Sequence, residues 1–178
     1  ANIANNGNGR GSGGGIRNEG ALTILNSTLS GNTAYSGGGI SNGSSLTISN
    51  STFFGNSATF GGGIENFGGT FSLNNSTLSG NSAIQGVGRG GAIYNRGVGT
   101  ISNSTLSGNS AIQPGGGIYN FTGSTLNIAN TIIANSTSGG DYAGNGTVTL
   151  IPSGNSNNPT ISANNIVTQA SSSATSAW

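Results

Sequence analysis

The side chains of this chain that could do chemistry are few enough to name. Among 178 residues there are four arginines, three carboxylates, no histidine and no cysteine. The cations are Arg10, Arg17, Arg89 and Arg96; the anions are Glu19, Glu65 and Asp141. Cleaving a polysaccharide by general acid–base chemistry takes paired carboxylates at one bond, often with a basic residue or a metal. Here the three carboxylates stand at different offsets from a repeated motif and in different copies of it, so the sequence sets up no pair. No enzyme and no cofactor are expected. Without cysteine there are no disulfides and no thiolate metal sites. One aspartate cannot serve a calcium-binding β-roll, which needs one turn after turn. "GRGSGGG" at Gly9–Gly15 imitates a phosphate loop but lacks its lysine, its strand and its helix start, and is taken as a glycine corner. A net charge of +1 gives no ground for a nucleic-acid partner. No apolar run approaches the roughly 18 residues of a membrane span.

What would position these residues is a repeat. "GGGI" occurs at Gly13–Ile16, Gly37–Ile40, Gly61–Ile64 and Gly115–Ile118, with "GGAI" at Gly90–Ile93. The isoleucines Ile16, Ile40, Ile64, Ile93 and Ile118 are separated by 24, 24, 29 and 25 residues. A second word, "NSTLSGN" or a near copy, follows each at 26–32, 50–56, 75–81 and 103–109, worn to "NTIIAN" at 130–135. Between them stands an "LTI"-like triplet. A fixed period near 24 residues is the mark of a solenoid. Gly, Asn, Ser and Thr are poor helix formers, and the short alternating runs have the period of strands. The expected fold is therefore an all-β solenoid with three short strands per coil and roughly six to seven coils. It forms one domain over 1–178, with a partial coil at 1–12, regular repeats at 13–142, a degenerate coil at 143–169 and a polar tail at 170–178.

Alternation places Ile16, Ile40, Ile64, Ile93, Ile118, Leu22, Leu46, Phe71 and Leu126 in the core, with Ala34, Ala58, Ala83 and Ala111 filling the narrow remainder. In the fifth coil Ile132 is expected inward. Asn18, Asn42, Asn66, Asn95 and Asn120 form an unbroken column, expected to be a hydrogen-bonded ladder along the axis. Asparagine at the coil corners suits the left-handed conformation that sharp turns require. The Asn-x-Ser/Thr triplets at Asn26, Asn50, Asn75, Asn103, Asn120 and Asn135 are attributed to these corners rather than to glycan attachment. Outward lie a threonine column, Thr28, Thr52, Thr77, Thr105 and Thr131, and the aromatic residues Tyr94, Tyr119, Phe67, Phe121, Phe54 and Trp178, a candidate contact surface. The insertion Gln85–Gly90 is expected to bulge from a corner.

"GGAIYN" at Gly90–Asn95 and "FFGN" at Phe53–Asn56 resemble the GGA(I/L/V) and FxxN repeats of the chlamydial polymorphic outer-membrane protein family. The resemblance covers about residues 13–135. It implies a right-handed parallel β-helix, an extracellular or cell-surface setting and a role in adhesion. Leu29, Leu78 and Leu106 stand where the family word has Phe, and the chain is too short to hold the family's C-terminal membrane barrel.

No capping helix is evident at either end. The leading expectation for function is a secreted, processed chain that stacks head to tail into a filament. Its C-terminal segment, with Ile166 and Val167, is expected to reach a neighbour as an added strand. The alternative is a surface adhesin fragment that binds host cells or glycans. A third reading, ice binding, rests on the flat threonine column.

Overall fold

A computed structural model describes residues 2–4, 10–151 and 166–167. All of its regular elements are β-strands, stacked in parallel as a solenoid of about five turns. Among the described residues no helix is long and apolar enough to cross a membrane.

Three sheets are six strands deep. The first stacks Ile16–Asn18, Ile40–Asn42, Ile64–Asn66, Ile93–Asn95, Ile118–Asn120 and Tyr142–Ala143. The second stacks Ala21–Leu25, Ser45–Ser49, Thr70–Asn74, Val98–Ser102, Thr125–Ala129 and Thr147–Leu150. The third stacks Thr28–Ser30, Thr52–Phe54, Thr77–Ser79, Thr105–Ser107, Ile132–Ala134 and Ile166–Val167. A shorter fourth side, Ser57–Ala58, Ser82–Ala83 and Ser110–Ala111, carries the small alanines. Like pairs with like across coils: Ile16 with Ile40, Ile40 with Ile64, Ile64 with Ile93 and Ile93 with Ile118.

The triple glycine has a distinct cause at each position. Gly37 takes φ +61°, and a Cβ there would meet the Ile40 carbonyl oxygen at 2.2 Å. A Cβ on Gly38 or Gly39 would strike the carbonyl of the next coil's Gly62 or Gly63, at 2.4 and 2.6 Å. The backbone of one coil thus occupies the space that a side chain on its neighbour would need. The corners after the second sheet use asparagine instead. Asn26, Asn50, Asn75, Asn103 and Asn130 have φ between 45° and 52°, and a short polar side chain tolerates this region better than most.

The core is one apolar column filled from the three long sides. Ile40, Ile64, Ile93, Ile118, Ile48, Leu73, Leu78, Ile101, Leu106 and Leu126 are all 0 % exposed. Ile16, Leu22 and Leu29, in the first coil, pack on it from half-buried positions. The second-sheet strand of the fourth coil keeps one large inward residue, Ile101, because Gly99 takes the other inward place. A Cβ on Gly99 would lie 2.3 Å from the Phe71 ring and 2.9 Å from Leu126 Cδ1. The bulk of Phe71 and the absence of a side chain at Gly99 are therefore one packing solution.

Two expectations of register need correction. Thr131 is not in the threonine column. Thr105 pairs with Ile132 and Leu106 with Ile133, so the column runs Thr28, Thr52, Thr77, Thr105, Ile132. "NTIIAN" is one residue shorter than "NSTLSGN", and the corner Asn130, φ 45°, fixes the alignment from its front end. Thr131 then takes the place of Ser104, fully buried, its hydroxyl donating to the Ala129 carbonyl at 2.7 Å as Ser104 does to Ser102. For the same reason Ile133 is the inward residue and Ile132 is 43 % exposed. The second concerns Ile166 and Val167: their backbone pairs with Ile132 and Ile133 of their own chain.

Candidate functional site

A buried asparagine in a narrow β-core needs partners for its amide, and here the repeat supplies them. Asn18 Nδ2 donates to Asn42 Oδ1 at 2.7 Å. Asn42 to Asn66, Asn66 to Asn95 and Asn95 to Asn120 follow at 2.8 Å each. A second buried ladder runs Asn32, Asn56, Asn81, Asn109 at 3.0, 3.0 and 3.1 Å. Both donate toward the C-terminal coil. The exposed corner asparagines donate the other way, Asn75 to Asn50 and Asn50 to Asn26. These columns fix the corners rigidly, and the residues beside them are held in register from coil to coil.

One such column follows the motif isoleucine: Arg17, Ser41, Glu65, Tyr94 and Tyr119 lie side by side on the first sheet, facing away from the core. They are not on an open surface. The chain just before each glycine triplet runs alongside, with Ser12, Ser36, Phe60 and Arg89 bridged in sequence. It raises a wall that includes Tyr35 and Phe60. On the other side Phe67 and Arg96 form a second wall. Between them lies a groove of about 340 Å³, its floor made by Ser41 and Glu65 and its N-terminal rim by Arg17 and Glu19.

The groove closes toward the C-terminal coils because the floor residues grow. Tyr94 stacks on Tyr119 with ring centres 5.5 Å apart, and lies 5.1 Å from Phe60 and 6.4 Å from Phe121. Tyr94 was expected on an exposed contact strip; it is 5 % exposed, enclosed by these rings. Burial pushes its hydroxyl pKa up. Tyr119 and Phe121 are half-buried and Phe67 is exposed. Phe54 stands on the outer face of the third sheet, 58 % exposed and outside the groove lining. Trp178 lies outside the described residues.

Four of the seven charged side chains, Arg17, Glu19, Glu65 and Arg96, line the groove, and Arg10 and Arg89 lie against the rings of Tyr35 and Tyr119. Glu65 is 5 % exposed and accepts the Ser41 hydroxyl at 3.0 Å. Burial raises its pKa above the ordinary carboxylate value, against the opposing pull of hydrogen bonds from Ser41 and Ser36 and of the Arg96 charge. Arg17 forms an ion pair with Glu19 at the rim. The Arg96 guanidinium sits over Phe67 at 4.7 Å and Phe121 at 5.0 Å. Arg89 lies over Tyr119 at 4.8 Å and donates to its hydroxyl at 3.0 Å. Arg10 lies 6.0 Å from the Tyr35 ring centre. Asp141 is elsewhere, accepting the Ser136 amide at 2.8 Å. The carboxylates Glu19 and Glu65, though on different coils, thus line one groove.

Sequence reasoning missed Tyr35, Ser36 and Phe60. The available signal was the residue ahead of each triplet: a bulky Phe60 or Arg89 there is out of keeping with a repeat otherwise built from small residues.

Compared with protein-family models, with curated proteins and with solved structures, the chain matches none. The fold and site together define a parallel β-solenoid with a charged, aromatic-walled groove along one side.

Proposed function

We propose that this chain is a binding module of an extracellular or cell-surface protein, an adhesin-type solenoid whose groove takes part of a glycan. The observation that carries this is the concentration of chemistry. In a chain that is only 4 % charged, Arg17, Glu19, Glu65 and Arg96 line one groove together with the rings of Tyr35, Phe60 and Phe67, and Tyr94, Tyr119 and Phe121 extend the ring contacts beside it. A pocket with apolar walls and a few convergent polar groups is the ordinary form of a small-ligand site. Sugars suit it: their C–H faces pack on aromatic rings, and their hydroxyls bond to a carboxyl and to guanidinium groups. The test is a glycan array probed with the chain beside Phe67→Ala and Glu65→Ala. Specific signals lost in both variants support the reading; a blank array, or signals indifferent to both changes, defeats it.

A second reading, an end-to-end filament, is favoured by one feature. Among the described residues no strand pairs with the outer edge of Ala21–Leu25, and Leu25 there is 55 % exposed. An open edge of this kind is a template for another coil. Negative-stain micrographs over a wide range of concentration would show fibres; discrete particles throughout would reject it. Ice binding gains less support, because the threonine column ends at Ile132 and is flanked by Phe54.

A further inference from the structure

We infer that the groove is built for a saccharide that carries an oxyanion, a carboxylate or a sulfate, and that Arg96 receives it. This rests on the groove being a glycan site and adds the class of glycan. The argument is one of commitment. Arg17 is held by Glu19 and Arg89 by the Tyr119 hydroxyl. Arg96 also lines the groove, but among the described residues its guanidinium makes no hydrogen bond; it is held by the rings of Phe67 and Phe121. Arg96 belongs to the coil between those of Phe67 and Phe121, and a contact with the π-face of a ring leaves the N–H donors of a guanidinium available for hydrogen bonds. Those donors form a fixed fork matched to two oxygens of one oxyanion. Stacking also restrains a long side chain before the ligand arrives, which lowers the entropic cost of binding.

The floor suits the same ligand. A charged Glu65 opposes an anion beside it, and burial, which raises its pKa, weakens that opposition by shifting the carboxyl toward its neutral form. Held by Ser41 and Ser36, the carboxyl can bond the hydroxyls of a sugar ring whose acidic group sits on Arg96. Phe67, 56 % exposed, keeps enough free surface for the ring's C–H face.

The experiment is titration calorimetry of the soluble chain with three oligosaccharides of equal length: a hexuronate oligomer, a sulfated oligomer and a neutral one. An acidic oligomer should bind at least roughly tenfold tighter than the neutral one, in line with hydrogen bonds to a charged group. The stronger of the two acidic arms names the oxyanion. Arg96→Ala should abolish the preference. Arg96→Lys should restore only part of it, since an ammonium cannot form the fork. Arg96 is exposed, so both variants should melt with the parent. Equal affinity for neutral and acidic oligomers, or a preference that survives Arg96→Ala, overturns the inference and leaves the groove standing as a glycan site. Failure of every saccharide to bind overturns both.

Discussion

Glu65 is a carboxyl taken almost wholly out of water, and its titration can be followed without knowing any ligand. Its folded pKa is raised, chiefly by burial. The folded chain therefore holds the proton more tightly than the unfolded chain does. The stability this contributes is complete below the ordinary carboxylate pKa and is lost as pH rises through the raised value. Glu65→Gln keeps an acceptor for Ser41 and removes the charge. The variant should be more stable than the parent at neutral pH, and the gap should close toward pH 4. Thermal melts across that range check it, and parallel curves would refute it. Asparagine offers a second contrast between chemically identical residues. Asn66 is fully buried, donates to Asn95 and to the Gly69 carbonyl and accepts from Asn42. Asn66→Ala strands buried partners on both sides and should cost about 2–4 kcal/mol in a urea titration. Asn75 is exposed at φ 48°. There Asn75→Gly should change stability by less than about 1 kcal/mol, because glycine accepts that conformation freely.

At the scale of the strand, the columns show what a repeat makes readable. The isoleucine and asparagine columns could be aligned by eye because the flanking words recur unchanged. Thr131 could not, because its copy of the word lacks one residue, and only the conformation of Asn130 decides which end is short. The groove was harder still. Tyr94 follows the motif isoleucine, and alternation correctly turns it away from the core. Its burial comes from Phe60, Tyr119 and Phe121 on neighbouring coils, at positions where the repeat does not prescribe the residue type. A periodic sequence specifies what every coil shares; a site is what particular coils do not share, and it emerges only when those exceptions are stacked. Gly99 is another exception of this kind. Gly99→Ala should destabilise by about 1–3 kcal/mol through the clash with Phe71. In a Phe71→Leu background the same change should cost distinctly less, since the shorter side chain vacates the space. A double-mutant cycle with no coupling between the two positions would contradict this packing account.

The whole molecule is a one-dimensional stack, so each coil is stabilised only by those beside it. Its core is not uniform along the axis. Ile40, Ile48, Phe53, Ile64, Leu73 and Leu78 are 0 % exposed, whereas Ile16, Leu22 and Leu29 of the first coil are only half-buried. Amide exchange should follow this gradient. The amides of Ser45–Ser49 and Thr70–Asn74 should be protected close to the limit of global unfolding, and those of Ala21–Leu25 should exchange through local opening at lower free energy. The gradient also separates the two functional readings. A module that works by its groove presents the same first coil at every concentration, so protection over Ala21–Leu25 should not change on dilution. A subunit that stacks end to end buries that edge against another copy, and protection there should rise with concentration while the central coils stay fixed. Leu25→Lys would place a charge at the stacking edge and should cancel the rise. Because the groove is lined by Ser41, Glu65, Phe67 and Arg96 rather than by this edge, the same substitution should leave glycan binding intact.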